Sequence, residues 1–104
     1  MESESKFQEL QFLEQNLQNI LMQKQAFEME FAETESALSE ISKTSDDVFK
    51  IIGQLLIKGD KIKIKEELEN KKKLLQLRIN SLDKQEKTFS DRLSILRNEL
   101  LKSK

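Results

Sequence analysis

Apolar side chains recur along this chain with a heptad period, first between residues 10 and 41 and again between 68 and 100. In the first stretch the positions spaced alternately three and four apart read Leu10, Leu13, Leu17, Ile20, Lys24, Phe27, Phe31, Thr34, Leu38 and Ile41. Only Lys24 and Thr34 interrupt the apolar set. Such a stripe is the seam of a coiled coil, and it predicts a helix over about residues 6–42, with Ser5 and Gln8 as a capping box at its start. In the second stretch one seam row is wholly apolar (Leu68, Leu75, Leu82, Phe89, Leu96). The interleaved row (Lys65, Lys72, Ile79, Glu86, Leu93, Leu100) is half polar. This predicts a second helix over about 61–102, with Asp60 as its N-cap because a short carboxylate can accept from the first free backbone N–H groups.

Neither helix can bury its stripe alone, so the two are expected to fold antiparallel against each other. A continuous register then pairs Leu10 with Leu96, Leu13 with Leu93, Leu17 with Phe89, Phe27 with Ile79, Phe31 with Leu75 and Leu38 with Leu68. Four layers are less apolar: Ile20/Glu86, Lys24/Leu82, Thr34/Lys72 and Ile41/Lys65. Lys and Glu are tolerated there if their stems run along the seam and their charges reach water. Phe27 and Phe31 read as core, and the off-seam Leu21, Met22, Met29, Leu74 and Leu77 have two readings, the inner wall of a cavity or, preferred, a broadening of the apolar stripe.

The stretch between the helices is too long for a bare turn, and its pattern changes. Val48-Phe49-Lys50-Ile51-Ile52 and Leu55-Leu56-Ile57-Lys58 flank Gly53-Gln54. Two apolar, β-branched runs around a two-residue loop with Gly first predict a β-hairpin with a type II′ turn, over about 47–59. Ile52 then faces Leu55, Ile51 faces Leu56, and Lys50 faces Ile57. Both faces of this hairpin are apolar and both edges are free. An isolated two-stranded sheet is marginal in water and a hazard for aggregation. Obligate oligomerisation through Val48, Phe49, Ile51, Ile52, Gly53, Leu55, Leu56 and Ile57 follows, with neighbours' strands closing a sheet or barrel. The expected fold class is mainly α: one domain over 1–104, a long antiparallel coiled-coil hairpin with a β-hairpin inserted between its helices.

Composition narrows what such a chain can do. The 104 residues include no Cys, His or Pro and two Gly, with 36% charged side chains. Thiolate and imidazole metal sites, disulfides and His-dependent nucleophiles are excluded. Neither Gly fits a phosphate-binding loop, and a chain this polar offers little interior in which to raise a carboxyl pKa. No enzymatic activity and no cofactor are expected. No apolar run approaches the roughly 20 residues of a membrane span, and the acidic, polar Met1–Lys6 is no secretory signal, so a cytoplasmic protein without membrane contact is expected. The net charge of −1 hides a split: residues 1–47 hold 11 acidic and 3 basic side chains, and residues 48–104 hold 8 acidic and 15 basic. An acidic helix beside a basic one favours pairing within the chain over pairing two copies of helix 1. The lysines at 58, 61, 63, 65, 71, 72 and 73 scatter around the second helix and read as a solvated face, with no nucleic-acid partner.

A further group sits near the chain ends. Phe12, Ile95 and Leu101 fall at outer heptad positions and Phe7 one turn before the seam. With Leu10, Leu13, Leu96 and Leu100 at the fraying helix ends, they have two readings. Scattered surface apolars are ordinary and can simply pack the last turns; alternatively they form an apolar surface for non-native chains. A structural or tethering coiled coil is the matching alternative for the whole molecule.

The run from Phe49 to Lys58 (an aromatic, Lys, two aliphatics, Gly, a variable residue, then aliphatics ending in Lys), preceded by Asp46-Asp47 and set between two helices, resembles the prefoldin family. Gln23-Lys24-Gln25 and Leu82-Asp83-Lys84-Gln85-Glu86 extend the likeness to its single-hairpin, beta-type members, archaeal and eukaryotic. The resemblance implies a hetero-hexamer of two alpha and four beta subunits, whose hairpins form barrels from which the coiled coils project. It implies an ATP-independent holdase that captures unfolded or nascent proteins at the coiled-coil tips and delivers them to a group II chaperonin. It also favours the client-binding reading of Phe7, Leu10, Phe12, Leu13, Ile95, Leu96, Leu100 and Leu101.

Overall fold

A computed structural model describes residues 2–44 and 47–102; Met1, Ser45, Asp46, Ser103 and Lys104 lie outside the described residues. The elements follow in the order α1 (Glu2–Lys43), β1 (Val48–Ile52), β2 (Leu55–Gly59) and α2 (Lys61–Lys102). α1 starts earlier than the capping-box reading placed it. Ser5 lies inside the helix, because neither Pro nor Gly stands upstream to stop the turn and the polar residues there are compatible with helix. α2 begins where expected. The Ile62 backbone N–H donates to Asp60 Oδ1 at 2.9 Å and the Ile64 N–H to the Asp60 carbonyl at 2.9 Å, the bonding of an N-cap.

β1 and β2 pair antiparallel in the expected register: Val48 opposite Gly59, Phe49 opposite Lys58, Lys50 opposite Ile57, Ile51 opposite Leu56 and Ile52 opposite Leu55. Gly53 has φ +62°, and among the described residues no other residue takes a positive φ. A positive φ at the first central position followed by a negative one is the type II′ combination, which only Gly adopts without strain.

The chain divides into two compact units. One comprises residues 1–27 and 78–104, the other 28–77. In the first, Leu13, Leu93 and Leu96 form a buried cluster with Leu10 and Phe89 packed against it; Ile20, Ile79 and Leu82 are buried as well. These are the residues of the predicted layers Leu10/Leu96 and Leu13/Leu93, with Phe89 from the next layer; Leu17 is half-buried. Cross-helix ion pairs flank the cluster: Glu9 with Arg92 at 3.0 Å, Glu14 with Arg97 at 3.3 Å and Lys6 with Glu99 at 3.4 Å. Lys24 does not snorkel into water. Its Nζ lies 2.7 Å from Asp83 Oδ1 and 3.5 Å from Glu86 Oε2, so two seam interruptions satisfy each other.

In the second unit Ile41 and Leu75 are buried, and so is Thr34. The Thr34 hydroxyl donates to its own helix, at 2.7 Å from the Glu30 carbonyl. Lys72 opposite it reaches outward over the Phe31 ring, 5.6 Å from the centroid. The expected Ile41/Lys65 layer is absent. Lys65 is exposed and Ile64 is half-buried in its place, because Ile64 packs where Gly59 leaves room for it. The seam therefore shifts by one residue where α2 leaves the strand. Leu21, Met22, Met29, Leu74 and Leu77 do not broaden the stripe; all five are exposed.

Candidate functional site

The β-hairpin presents its apolar residues to solvent. Phe49, Ile51, Ile52, Leu55, Leu56 and Ile57 are 43–73% exposed, while Val48 is half-buried at the hairpin's root. The sheet has two strands, so the outer edges of β1 and β2 carry unpaired backbone groups. Three polar contacts surround the root. Lys50 Nζ donates to Glu67 Oε2 at 2.9 Å, Lys61 Nζ donates to the Thr44 carbonyl, and Lys58 lies 3.5 Å from Asp47. Gly59 leaves room there for the end of the Ile64 side chain: a Cβ at this position would meet the Ile64 Cδ1 methyl, which would have to turn aside. Sequence reading placed Gly59 in the connector without seeing this contact, since nothing in the linear pattern sets Ile64 against it.

A second apolar surface lies in the unit that contains both chain ends. Phe7, Phe12, Ile95 and Leu101 are each at least half exposed. Leu10 and Leu100 are half-buried. Leu13 and Leu96 correct the picture of a fraying end: they are 5% and 0% exposed and form the core beneath, because the helices continue past them in both directions. By heptad position Phe12 and Ile95 lie on the flank of the Glu9–Arg92 pair, and Phe7 and Leu101 on the flank of the Glu14–Arg97 pair. Each flank thus offers two apolar groups beside one ion pair.

The electrostatics are those of ion pairs. Hydrogen bonding to Arg92 holds the Glu9 carboxyl below its usual range, and Arg92 is raised in return. The hydrogen bond to Asp83, supported by Glu86, raises Lys24. Among the described residues no group of three or more acidic, His or Cys side chains could hold a metal ion, and no helix is long and apolar enough to cross a membrane.

Residues 4–103 match the family described as prefoldin subunit. The prefoldin subunit beta of Thermococcus onnurineus is 36% identical over 94 residues, covering 88% of this chain and 81% of the relative. That of Pyrobaculum calidifontis is 38% identical over 88 residues, covering 83% and 70%. The crystal structure of the prefoldin beta subunit from Thermococcus strain KS-1 superposes with a TM-score of 0.89 at 33% identity, over 98% of this chain and 91% of that one. The beta2 subunit from the same strain gives 0.73 at 26% identity, over 90% and 98%. With two helices, one hairpin between them and the Phe49–Lys58 run all in place, the chain belongs to the prefoldin subunit family.

Proposed function

We propose that this chain is a beta-type subunit of an ATP-independent holdase chaperone, assembled through its hairpin with alpha-type prefoldin subunits as two alpha and four beta. The observation that carries this reading is the hairpin: six large apolar side chains in solvent and two open strand edges require partner strands. Phe7, Phe12, Ile95 and Leu101 supply a client surface, with Leu10 and Leu100 beside them and Leu13 and Leu96 supporting it from within. Each contact is weak and indifferent to sequence, which suits unfolded or nascent proteins in the cytoplasm. Several subunits sharing one client raise the overall affinity by multivalency, with no nucleotide needed. A group II chaperonin is the destination of the captured chain.

The test is co-assembly with an alpha-type subunit, followed by light scattering from a diluted, denatured client without nucleotide. The complex is expected near six subunits and suppresses aggregation. Replacing Phe7, Phe12, Ile95 and Leu101 together by Ser keeps the mass but requires about tenfold more complex for the same suppression. Full activity in that variant overturns the client surface. A tethering coiled coil would show no suppression at all.

A further inference from the structure

Between residues 5 and 27, α1 carries four charged side chains, and each is paired across to α2: Lys6 with Glu99, Glu9 with Arg92, Glu14 with Arg97, and Lys24 with Asp83 and Glu86. All four lie on the seam or its flanks. The three heptad rows farthest from the seam therefore hold no charge over this stretch, in a chain that is 36% charged. They hold amides instead: Gln8, Gln11, Gln15, Gln18, Asn19 and Gln25 are all exposed, with Phe12 and Met22 exposed among them. The outer rows of α2 in the same unit are those of a solvated helix, with Lys84, Lys87, Asp91 and Lys102.

An uncharged face holding an aromatic and a methionine has the composition of a contact surface, and its amides specify the partner's chemistry. A carboxamide sets an acceptor beside two donors, the same groups that a peptide unit presents. Gln8, Gln11, Gln18 and Gln25 form no hydrogen bond among the described residues, and Gln15 donates to Asn19 Oδ1 at 3.3 Å with its own oxygen left open. In a folded protein the peptide groups are already paired. In an unfolded chain they are not, and along an extended segment the N–H and C=O of alternate residues face the same way. The face runs about 26 Å from Gln8 to Gln25, the length of about eight extended residues. Neighbouring amides at 8, 11, 15 and 18 lie about 4.5–6 Å apart along the axis. The flexible Gln side chain takes up the difference from the roughly 6.7 Å two-residue repeat of a strand. With no charge on the face, a segment laid there leaves no ion of α1 buried without its counterpart.

We propose that the outer face of α1 from Gln8 to Gln25 binds an extended segment of non-native polypeptide through its peptide groups, about eight residues at a time. The inference rests on the client-capture reading and names what is recognised, the backbone in addition to apolar side chains. Each amide–peptide hydrogen bond replaces bonds to water and gains little, so binding builds up through several subunits on one client.

The test uses the complex with an alpha-type subunit and a labelled, permanently unfolded probe, reduced and carbamidomethylated α-lactalbumin, followed by fluorescence anisotropy. Gln11→Ala/Gln15→Ala/Gln18→Ala/Gln25→Ala removes the amides, keeps the helix and leaves the face more apolar. Circular dichroism and sedimentation check its helicity and subunit number. This variant is expected to bind about tenfold more weakly, and equally so in about 1 M salt. Lys84→Ala/Asp91→Ala, on the outer rows of α2, is expected to bind as the wild type does. Unchanged or tighter binding by the amide variant shows capture by apolar contact alone and overturns the proposal. A loss that comes with an altered subunit number also overturns it, since the face is then a contact between copies. The variant with Phe7, Phe12, Ile95 and Leu101 replaced by Ser separates the two claims. If it alone loses binding, the client surface stands and the backbone reading fails. If the amide variant alone loses binding, the backbone reading stands and the client surface fails; if neither does, both fail.

Discussion

At Gly59 the absence of a side chain leaves space that the end of the Ile64 side chain fills. The Ile64 methyl occupies the space a Cβ would need, and that same Ile64 fills the seam in place of Lys65. Gly59→Ala therefore turns the end of the Ile64 side chain aside, at about 0.5–1.5 kcal/mol if the new rotamer is strained. Urea unfolding is expected to show that loss. Adding Ile64→Ala removes the obstructing methyl, so the double variant should lose less than the sum of the two single changes. Strict additivity would show that the contact does not constrain the Ile64 side chain. Gly53 differs in cause: nothing lies within 4 Å of a Cβ there, and its φ of +62° alone demands Gly. The turn at Gly53 was legible from two residues. The contact at Gly59 was not, because it joins positions whose neighbourhood only the fold creates.

At the scale of the helices, the seam was legible almost position by position. All ten predicted seam residues of α1 are buried or half-buried, and of those predicted on α2 only Lys65 is exposed. What periodicity misjudged was the polar layers. It assigned Lys24 and Glu86 to separate layers, each sending its charge to water. The structure joins them, with Asp83, into one cross-helix group. Because Lys24 is held above its ordinary value of 10.5, the group favours the folded state fully below that pH. The contribution disappears as pH rises through the higher folded value. Thermal unfolding of the wild type and Lys24→Met is expected to differ by a constant amount from about pH 7 to 10, with the wild type losing ground above about pH 10.5. A difference unchanged up to pH 12 would show that the lysine's charge plays no part in folding.

At the scale of the whole molecule, too little apolar surface is covered for the hairpin to stand alone. Its six exposed apolar residues and two open edges are the ground for the proposal that association and folding of the 47–59 region are linked. On that proposal, the unfolding midpoint should rise by mass action with protein concentration, and Ile52→Asp should remove that dependence while leaving the helices formed. A midpoint independent of concentration in the wild type would show that the hairpin is stable unpartnered.

The two helices, the hairpin, its register and the Gly53 turn were all legible along the chain. Each rests on a local rule: a period of 3.5, a pair of β-branched apolar runs about a two-residue loop, and a backbone angle open to Gly alone. Which apolar residues face water emerges only from the fold. It put Leu13 and Leu96 in the core, and left Phe7, Phe12, Ile95 and Leu101 outside. It also set which charges find partners: Glu9, Glu14 and Lys24 do, while the glutamates of α1 between 28 and 40 form no ion pair among the described residues. Burial and ion pairing depend on what the other helix brings to the same point in space, and no spacing along one chain segment encodes that.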